Sequence, residues 1–373
     1  MGVFLFHAVH PFDALFDWHI KNAETSTLAT FFAGFFNLWG MPFFFSMAGA
    51  TSWFSLQRRS AGRYVRERVT RLLIPFILGS IVLTPLQAYF ELTHKGWWTQ
   101  GSIVEFILSP EARTYFYTEY HSITLTPGIF GTVGYHLWFV AFLFAFSLLA
   151  LPVFLLLNRD VGKGFVASIA RLAKRRGGLL LFVIPLMLVR FAVQWGPYNE
   201  HGWPGFANYW VFFIFGYILI ADEQFSQAIR RDGLLHLILG IPCTLFFFSE
   251  ALGVPLRDWM GSPGTPMFYV TWTAFGINSW CWTMFTMYIG MRYLDYVNKW
   301  LQYGREASYP FFIIHQPVII LIAFYAVQWE VAVLIKLLVV VIGSLAVSLG
   351  LYELLIRRID PLRILFGLKP RAN

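Results

Sequence analysis

The sequence predicts an all-α, polytopic membrane bundle of about ten transmembrane helices with both termini cytoplasmic. Three observations predict it. Apolar side chains make up 57% of the 373 residues and charged ones only 13%, about half the roughly 25% charge of an ordinary soluble domain. The apolar residues come in blocks of about 20, the length that crosses a bilayer. Of the 28 Lys and Arg residues, 22 fall in every second connection between those blocks, the asymmetry that marks the cytoplasmic side. The same composition excludes a disordered chain, a collagen-like repeat and a disulfide scaffold. Cys243 and Cys281 both lie inside apolar runs, without the spacing of a thiolate zinc site.

Read with a window of about 19 residues, apolar runs fall at 1–13, 28–55, 72–92, 135–157, 178–195, 207–221, 234–254, 267–291, 309–328 and 331–356. The first is short and has neither the basic start nor the cleavage site of a signal peptide. The basic connections are 57–71, 158–177, 222–233, 292–308 and the tail, whereas the opposite set holds only Lys21, Lys95, Arg113 and Arg257. The net charge of +8 is therefore read as orientation and attraction to membrane lipids, with no nucleic-acid partner. No internal repeat or appended soluble domain interrupts the chain, so residues 1–373 read as a single integral-membrane domain. The opposite connections are rich in Trp97, Trp98, Tyr115, Tyr117, Tyr120, His121, Trp195, Tyr198, His201 and Trp203. An interfacial aromatic belt and stacking faces for sugar rings are equally compatible with them.

Ionisable groups inside a membrane are costly and usually functional. The sharpest set is His7, His10, Asp13 and Asp17, which fall within about 120° of one another on a helix, with Pro11 able to break that geometry. A histidine beside a carboxylate is held in one tautomer and acts as general base on a hydroxyl; the bland reading is packing histidines near an interface with aspartates in water. The same spacing resembles a metal ligand set only weakly, and no metal is expected. His315 and His136 are read either as functional or as structural groups bonding carbonyls freed by nearby prolines. Arg190, Glu250, Lys336 and Glu353 also lie within or near apolar runs. Lys336 is expected to snorkel and Glu353 to pair with the basic tail. Arg68 and Arg71 share a helical face at the entry to the third run, and arginine forks grip phosphates, although an orientation signal explains basic residues there too.

Together, Phe6-His7, the run Met41 to Gly49 (Met-Pro-Phe-Phe-Phe-Ser-Met-Ala-Gly), Arg68-x-x-Arg71-x-x-x-Pro75, His136-Leu137-Trp138-Phe139 and the run Ser308 to Pro317 with His315 inside it resemble the acyltransferase-3 family of membrane-bound O-acyltransferases. The resemblance runs over nearly the whole chain and rests on the order of these motifs. Leu351-Tyr352-Glu353, the run Pro361 to Phe366, Lys369-Pro370, Trp18-His19 and Asn22 are similar to the branch of glucans-biosynthesis protein C. The resemblance implies transfer of an acyl group from cytosolic acyl-CoA, used as co-substrate with no tightly bound cofactor, to a hydroxyl of an extracytoplasmic glycan acceptor. It also implies a bacterial cytoplasmic (inner) membrane location. His7 takes the place of the family's first-span histidine, with His10 and Asp13 beside it, and Arg68 and Arg71 that of its arginine pair. The branch implies succinyl groups on periplasmic glucans, and the neighbouring expectation is acetylation of another surface polysaccharide. A basic residue that the family carries eleven positions before this histidine would fall ahead of Met1, so the first helix is expected to be truncated. The rival class is a secondary transporter for a polar metabolite, against which stands the lack of repeated, broken helix pairs. A structural or assembly protein, which would tolerate loss of His7, is a third.

Overall fold

The computed structural model describes residues 1–99, 101–110, 112, 134–193, 202–249 and 264–371. The described part of every apolar run lies on a helix or on two helices joined at a bend, and no strand occurs among the described residues. α1 (Gly2–Val9) ends in a tight turn at His10–Phe12. α2 (Thr27–Asn37) and α3 (Gly40–Arg58) meet at 42°, α4 (Ala61–His94) runs unbroken for 34 residues, and α5 (Tyr135–Leu149) meets α6 (Leu151–Leu157) at 48°. There follow α7 (Asp160–Ala173), α8 (Gly178–Val193), α9 (Trp203–Ala221), α10 (Glu223–Phe248), α11 (Pro266–Tyr293), α12 (Lys299–Ala326), α13 (Val333–Ile356) and α14 (Asp360–Leu365). By length and composition, five of these are membrane spans, or seven if each bent pair is one. The protein is thus a multi-pass membrane bundle. Of the other expected spans, α1 and α8 are short apolar helices, and α11 is long but carries Asn278, Ser279 and Thr283 in its interior.

The basic segments are more helical than loops would be. Arg63, Arg66, Arg68 and Arg71 ride on the first turns of α4, which begins where the Arg63 N–H donates to Ser60 Oγ. All five basic segments touch one another in a ring. Gln57 donates to Asn158 (3.2 Å), Arg231 to the Ala173 carbonyl (2.9 Å), Arg230 pairs with Asp295, Arg363 pairs with Glu306 (3.0 Å), and Gly367 packs on the Arg71 carbonyl. The alternation read from the sequence therefore gathers these residues at one end of the bundle, the basic end.

α9 and α12 have 67% and 61% of their apolar windows buried, against 22–28% for the other three spans. They are the central helices, and the rest turn a face to lipid. α9 packs on α3 in an aromatic core that includes Phe45, Phe146, Phe213 and Tyr217. α12 packs on α1, α4 and α13 through Phe4, Ala8, Ile319, Ala323 and Val340. The bends have local causes. Where α2 breaks from α3, Ser279 of α11 donates to the Leu38 carbonyl (2.7 Å), replacing the lost helical partner as a membrane interior demands. Pro152 opens α6 at its bend, since proline has no N–H to continue the α5 ladder.

α3 and α9 approach backbone to backbone. A Cβ on Gly216 would stand 1.8 Å from the Ser46 carbonyl oxygen, and one on Gly49 1.8 Å from that of Phe213. Small residues allow such contacts in membrane bundles. Gly216→Ala should cost about 1–3 kcal/mol by overpacking and lower the melting temperature in detergent. Gly350→Ala, which meets nothing within 4 Å, should not; equal melting of the two variants would contradict the contact.

Candidate active site: a histidine-lined chamber

α1 does not carry His7, His10, Asp13 and Asp17 on one helical face, as the sequence reading expected. The helix stops at Phe12 because Pro11 tightens the turn and Asp13 leaves it in an extended conformation. The Asp13 carboxylate then accepts the N–H groups of Leu15 and Phe16 (2.7 and 2.8 Å) and turns back onto its own helix, where His10 Nδ1 donates to it at 2.7 Å. The segment that follows caps the end of α1. Lys21 Nζ donates to the carbonyls of His10 (2.8 Å) and Asp13 (2.5 Å), Asn22 N–H to Pro11 (2.8 Å), and Ser26 N–H to Phe12 (2.7 Å). The orphan carbonyls of a helix end are satisfied by this fold-back, and the lysine cation suits the negative end of the dipole.

Beside this turn lies a cavity of about 310 Å³ lined by His7, His10, His19, His136, Glu91 and Trp18 among others, with exposed Asp17 at its edge. Hydrogen bonds set the tautomers. The Phe312 carbonyl can only accept, so His315 Nδ1 donates to it (2.6 Å), and the neutral ring presents Nε2 as an acceptor to His7 Nδ1 at 2.9 Å. His7 Nε2 then carries a lone pair. His10, its Nδ1 proton held by Asp13, likewise carries a lone pair on Nε2. Neither Nε2 atom has a protein partner or is sealed from the cavity. His19 is occupied on both sides, donating from Nδ1 to Glu91 (2.7 Å) and accepting from Gln316 Nε2 (3.3 Å). His136 Nε2 donates to the Ile313 carbonyl (3.0 Å), the one that Pro317 leaves without an N–H four residues on. Its Nδ1 is sealed. His136 is therefore the proline-compensating group that the sequence suggested.

A second cavity of about 290 Å³ abuts the first on the far side of the His7–His315 pair. It is lined by His315, Ser308, Tyr309, Phe4, Phe44 and Phe311, and shares Val3, Met41, Phe139 and Phe312 with the chamber. Tyr309 carries it toward the basic end. There Gly367, whose φ of 75° favours glycine, fits against the Tyr309 ring and the Arg71 carbonyl. Arg68 and Arg71 line neither cavity. Arg68 lies over the Tyr64 ring (4.6 Å) and donates to Ser52 Oγ (3.2 Å), and its buried Nε has no partner. Arg71 lies within the turn of π-helix at Val69–Leu73 that Arg68 precedes, and it pairs with Glu67 (3.3 Å), which Arg59 also contacts.

Glu91, Gln316 and Tyr135 were missed from the sequence. Glu91, 1% exposed, accepts from His19, Tyr135 Oη (2.9 Å) and Lys95 (2.8 Å). The signal was present: a glutamate at the end of an apolar run, where an intramembrane charge is rarely idle. Lys336 does not snorkel. It is buried, and its ammonium donates to Asn22 Oδ1 and the Val327 carbonyl, both at 3.0 Å, pinning the fold-back segment to α13. Arg190 stacks on Trp272 and Phe275, and Glu353 pairs with Arg357 as expected. Trp97 and Trp203 stand exposed; Tyr115, Tyr117, Tyr120, His121, Trp195, Tyr198, His201 and Glu250 lie outside the described residues. Among the described residues, no three His, Cys, Asp or Glu groups converge as a metal ligand set.

The fold and the chamber together define a multi-pass membrane protein with paired acid–base groups enclosed in its bundle. Residues 1–353 match the family model described as an acyltransferase domain. The chain belongs to this acyltransferase-3 family and is an O-acyltransferase that transfers groups other than aminoacyl groups. No curated protein matches the chain, and neither does any solved structure.

Asp13 lies just outside α1 and gives this geometry a pH signature. Burial pushes its carboxyl up, but the hydrogen bond from His10, the Phe16 N–H and the Lys21 ammonium 3.6 Å away outweigh it and hold the group below the usual carboxylate range. A carboxyl depressed in the folded state stabilises above its unfolded pKa of about 4, and that stabilisation is lost as pH falls through the lower native value. The detergent melting temperature should therefore drop between about pH 5 and 3, and less steeply for Asp13→Asn. Parallel curves for the two proteins would count against the assignment.

Proposed function

We propose that the protein moves an acyl group, succinyl or acetyl, from cytosolic acyl-CoA to a hydroxyl of an extracytoplasmic glycan. A periplasmic glucan, as in the glucans-biosynthesis protein C branch, is the acceptor we favour. In this reading the chain crosses a bacterial cytoplasmic membrane ten times with both termini inside, and the basic end faces the cytosol. Support for that orientation comes from the ring of basic segments, the pattern that cytoplasmic loops carry.

One observation carries the reading: His7 Nε2 opens into one cavity, while the ring it is bonded to, His315, lines another that extends toward the basic end. Thioester and hydroxyl arrive at the base from opposite sides. Arg68 and Arg71 hold the CoA phosphates through charge-assisted bonds, with the Arg71–Glu67 pair opening as the phosphate takes its place. The acyl thioester reaches inward through the Tyr309-lined cavity. The acceptor sugar lies in the outer chamber, where Trp18 and Tyr135 supply ring faces and His10 Nε2, fixed by Asp13, accepts from a neighbouring hydroxyl.

As the hydroxyl oxygen attacks the carbonyl carbon, its proton passes to His7 Nε2, a C–O bond forms and the C–S bond breaks. The proton then goes from His7 to the thiolate, leaving CoA-SH and the ester. General-base action of this kind is worth about 10²–10⁴-fold. No tightly bound cofactor is needed for these steps.

Purified protein incubated with labelled acetyl-CoA or succinyl-CoA and a β-glucan oligosaccharide should yield acyl-glucan by mass spectrometry. His7→Ala should abolish it in protein that still inserts and folds. Arg68→Ala and Arg71→Ala should raise the KM for acyl-CoA about tenfold or more with kcat little changed. Full activity of His7→Ala would remove it as base, an unchanged CoA dependence would return the arginines to orientation, and substrate uptake without CoA would mark a transporter.

A further inference from the structure

We infer that His315 is a positioning residue which sets the proton on His7, acting as an uncharged substitute for the carboxylate that usually orients a catalytic histidine. This deepens the proposed reading and rests on His7 as the base. Which nitrogen of an imidazole carries its proton is decided by the hydrogen bond its other nitrogen makes. His7 has no carboxylate in contact; its Nδ1 meets only His315 Nε2, at 2.9 Å, with the ring centres 5.1 Å apart and the planes within 3° of parallel, as for two rings joined edge to edge.

The direction of that bond is fixed one residue further away. The Phe312 carbonyl has no proton to give, so His315 must donate to it from Nδ1 (2.6 Å). His315 is 1% exposed; among the described residues it hydrogen-bonds to the Phe312 carbonyl and His7 and lies beside the rings of His136, Phe4, Phe311 and Phe312, with no carboxylate paired to it. A second proton would be a buried charge without a counter-ion, so its Nε2 accepts and His7 must donate from Nδ1. The series from the Phe312 carbonyl through His315 to His7 delivers a lone pair at His7 Nε2, on the chamber side. When His7 takes the hydroxyl proton, its Nδ1–H strengthens toward the neutral His315 ring, which spreads the new charge without any carboxylate in the dry interior.

His315→Leu removes the acceptor, and His7 loses the bond that keeps its proton on Nδ1. His315→Gln places an amide oxygen near the former Nε2 and keeps an acceptor. The expected result is a fall in kcat of about 10²–10⁴-fold for His315→Leu with both KM values within about threefold, and recovery to within about tenfold for His315→Gln. In ¹⁵N-histidine NMR, the His7 resonance, identified by its absence in His7→Ala, should report Nδ1–H in the wild type and in His315→Gln, and shift toward Nε2–H in His315→Leu. Unchanged kcat in His315→Leu, equal loss in both variants, or a His7 tautomer that ignores the substitution would each overturn the assignment. If His315→Leu fails to fold, wild type and His315→Gln decide: Nδ1–H with retained kcat supports it, and Nε2–H or lost kcat refutes it. Failure of the wider reading looks different, as transfer that persists in His7→Ala.

Discussion

A polar side chain inside a helix bundle has no water to bond, so each must find a partner or face an enclosed space. The site is built on that constraint. His10 has Asp13, His19 has Glu91 and Gln316, His136 has the Ile313 carbonyl and His315 that of Phe312. After these bonds, two lone pairs stay open to the chamber, at His7 and His10 Nε2. Reactivity is thus confined by subtraction. Five imidazoles gather in one region; His136 Nδ1 is sealed away without a partner, and only His7 and His10 turn an open nitrogen to the chamber.

Helix breaks put those rings within reach of one another. A straight α1 would send Asp13 onward along the helix; the stop at Phe12 returns it to His10. α12 carries Phe312, Ile313, His315, Gln316 and Pro317 in six residues, so one helix supplies the acceptor for His315, the freed carbonyl for His136 and the donor to His19. It is also a central helix of the bundle, which makes a poor hinge and a good template. Lys336 adds a tie from α13 to the fold-back segment, so the cap over α1 is held from two sides.

Much of this was legible in the sequence. Apolar length located the helices, basic alternation located one end, and the cost of a buried imidazole singled out His7, His10 and His315. A bond to a proline-freed carbonyl was one of two readings for His136, but that the carbonyl is Ile313 and the proline Pro317 emerges only from the tertiary contact. What escaped was set by tertiary contact. Hydropathy averages over a window, so it placed a loop at 57–71 where α4 already runs from Ala61, and gave no hint of the bend between α2 and α3 that Ser279 stabilises from 241 residues away. Lys336 looked like a snorkelling side chain because nothing local reveals that Asn22 waits 314 positions earlier. Glu91 had its signal and lacked only its partners.

The pairing also bears on why two histidines with open lone pairs are present. A carboxylate-bound imidazole is the stronger base by electrostatics, which would favour His10. Geometry favours His7: it lines the first cavity while its bonded partner His315 lines the second, whereas His10 lines only the first and stacks at 5.7 Å on Trp18. A base that serves acyl transfer must reach hydroxyl and thioester together, because a proton removed away from the electrophile gains nothing in the transition state. In the proposed mechanism, position therefore outranks basicity. His10 and Asp13 hold the acceptor, and His7, backed by a neutral ring, takes its proton at the junction where both substrates meet.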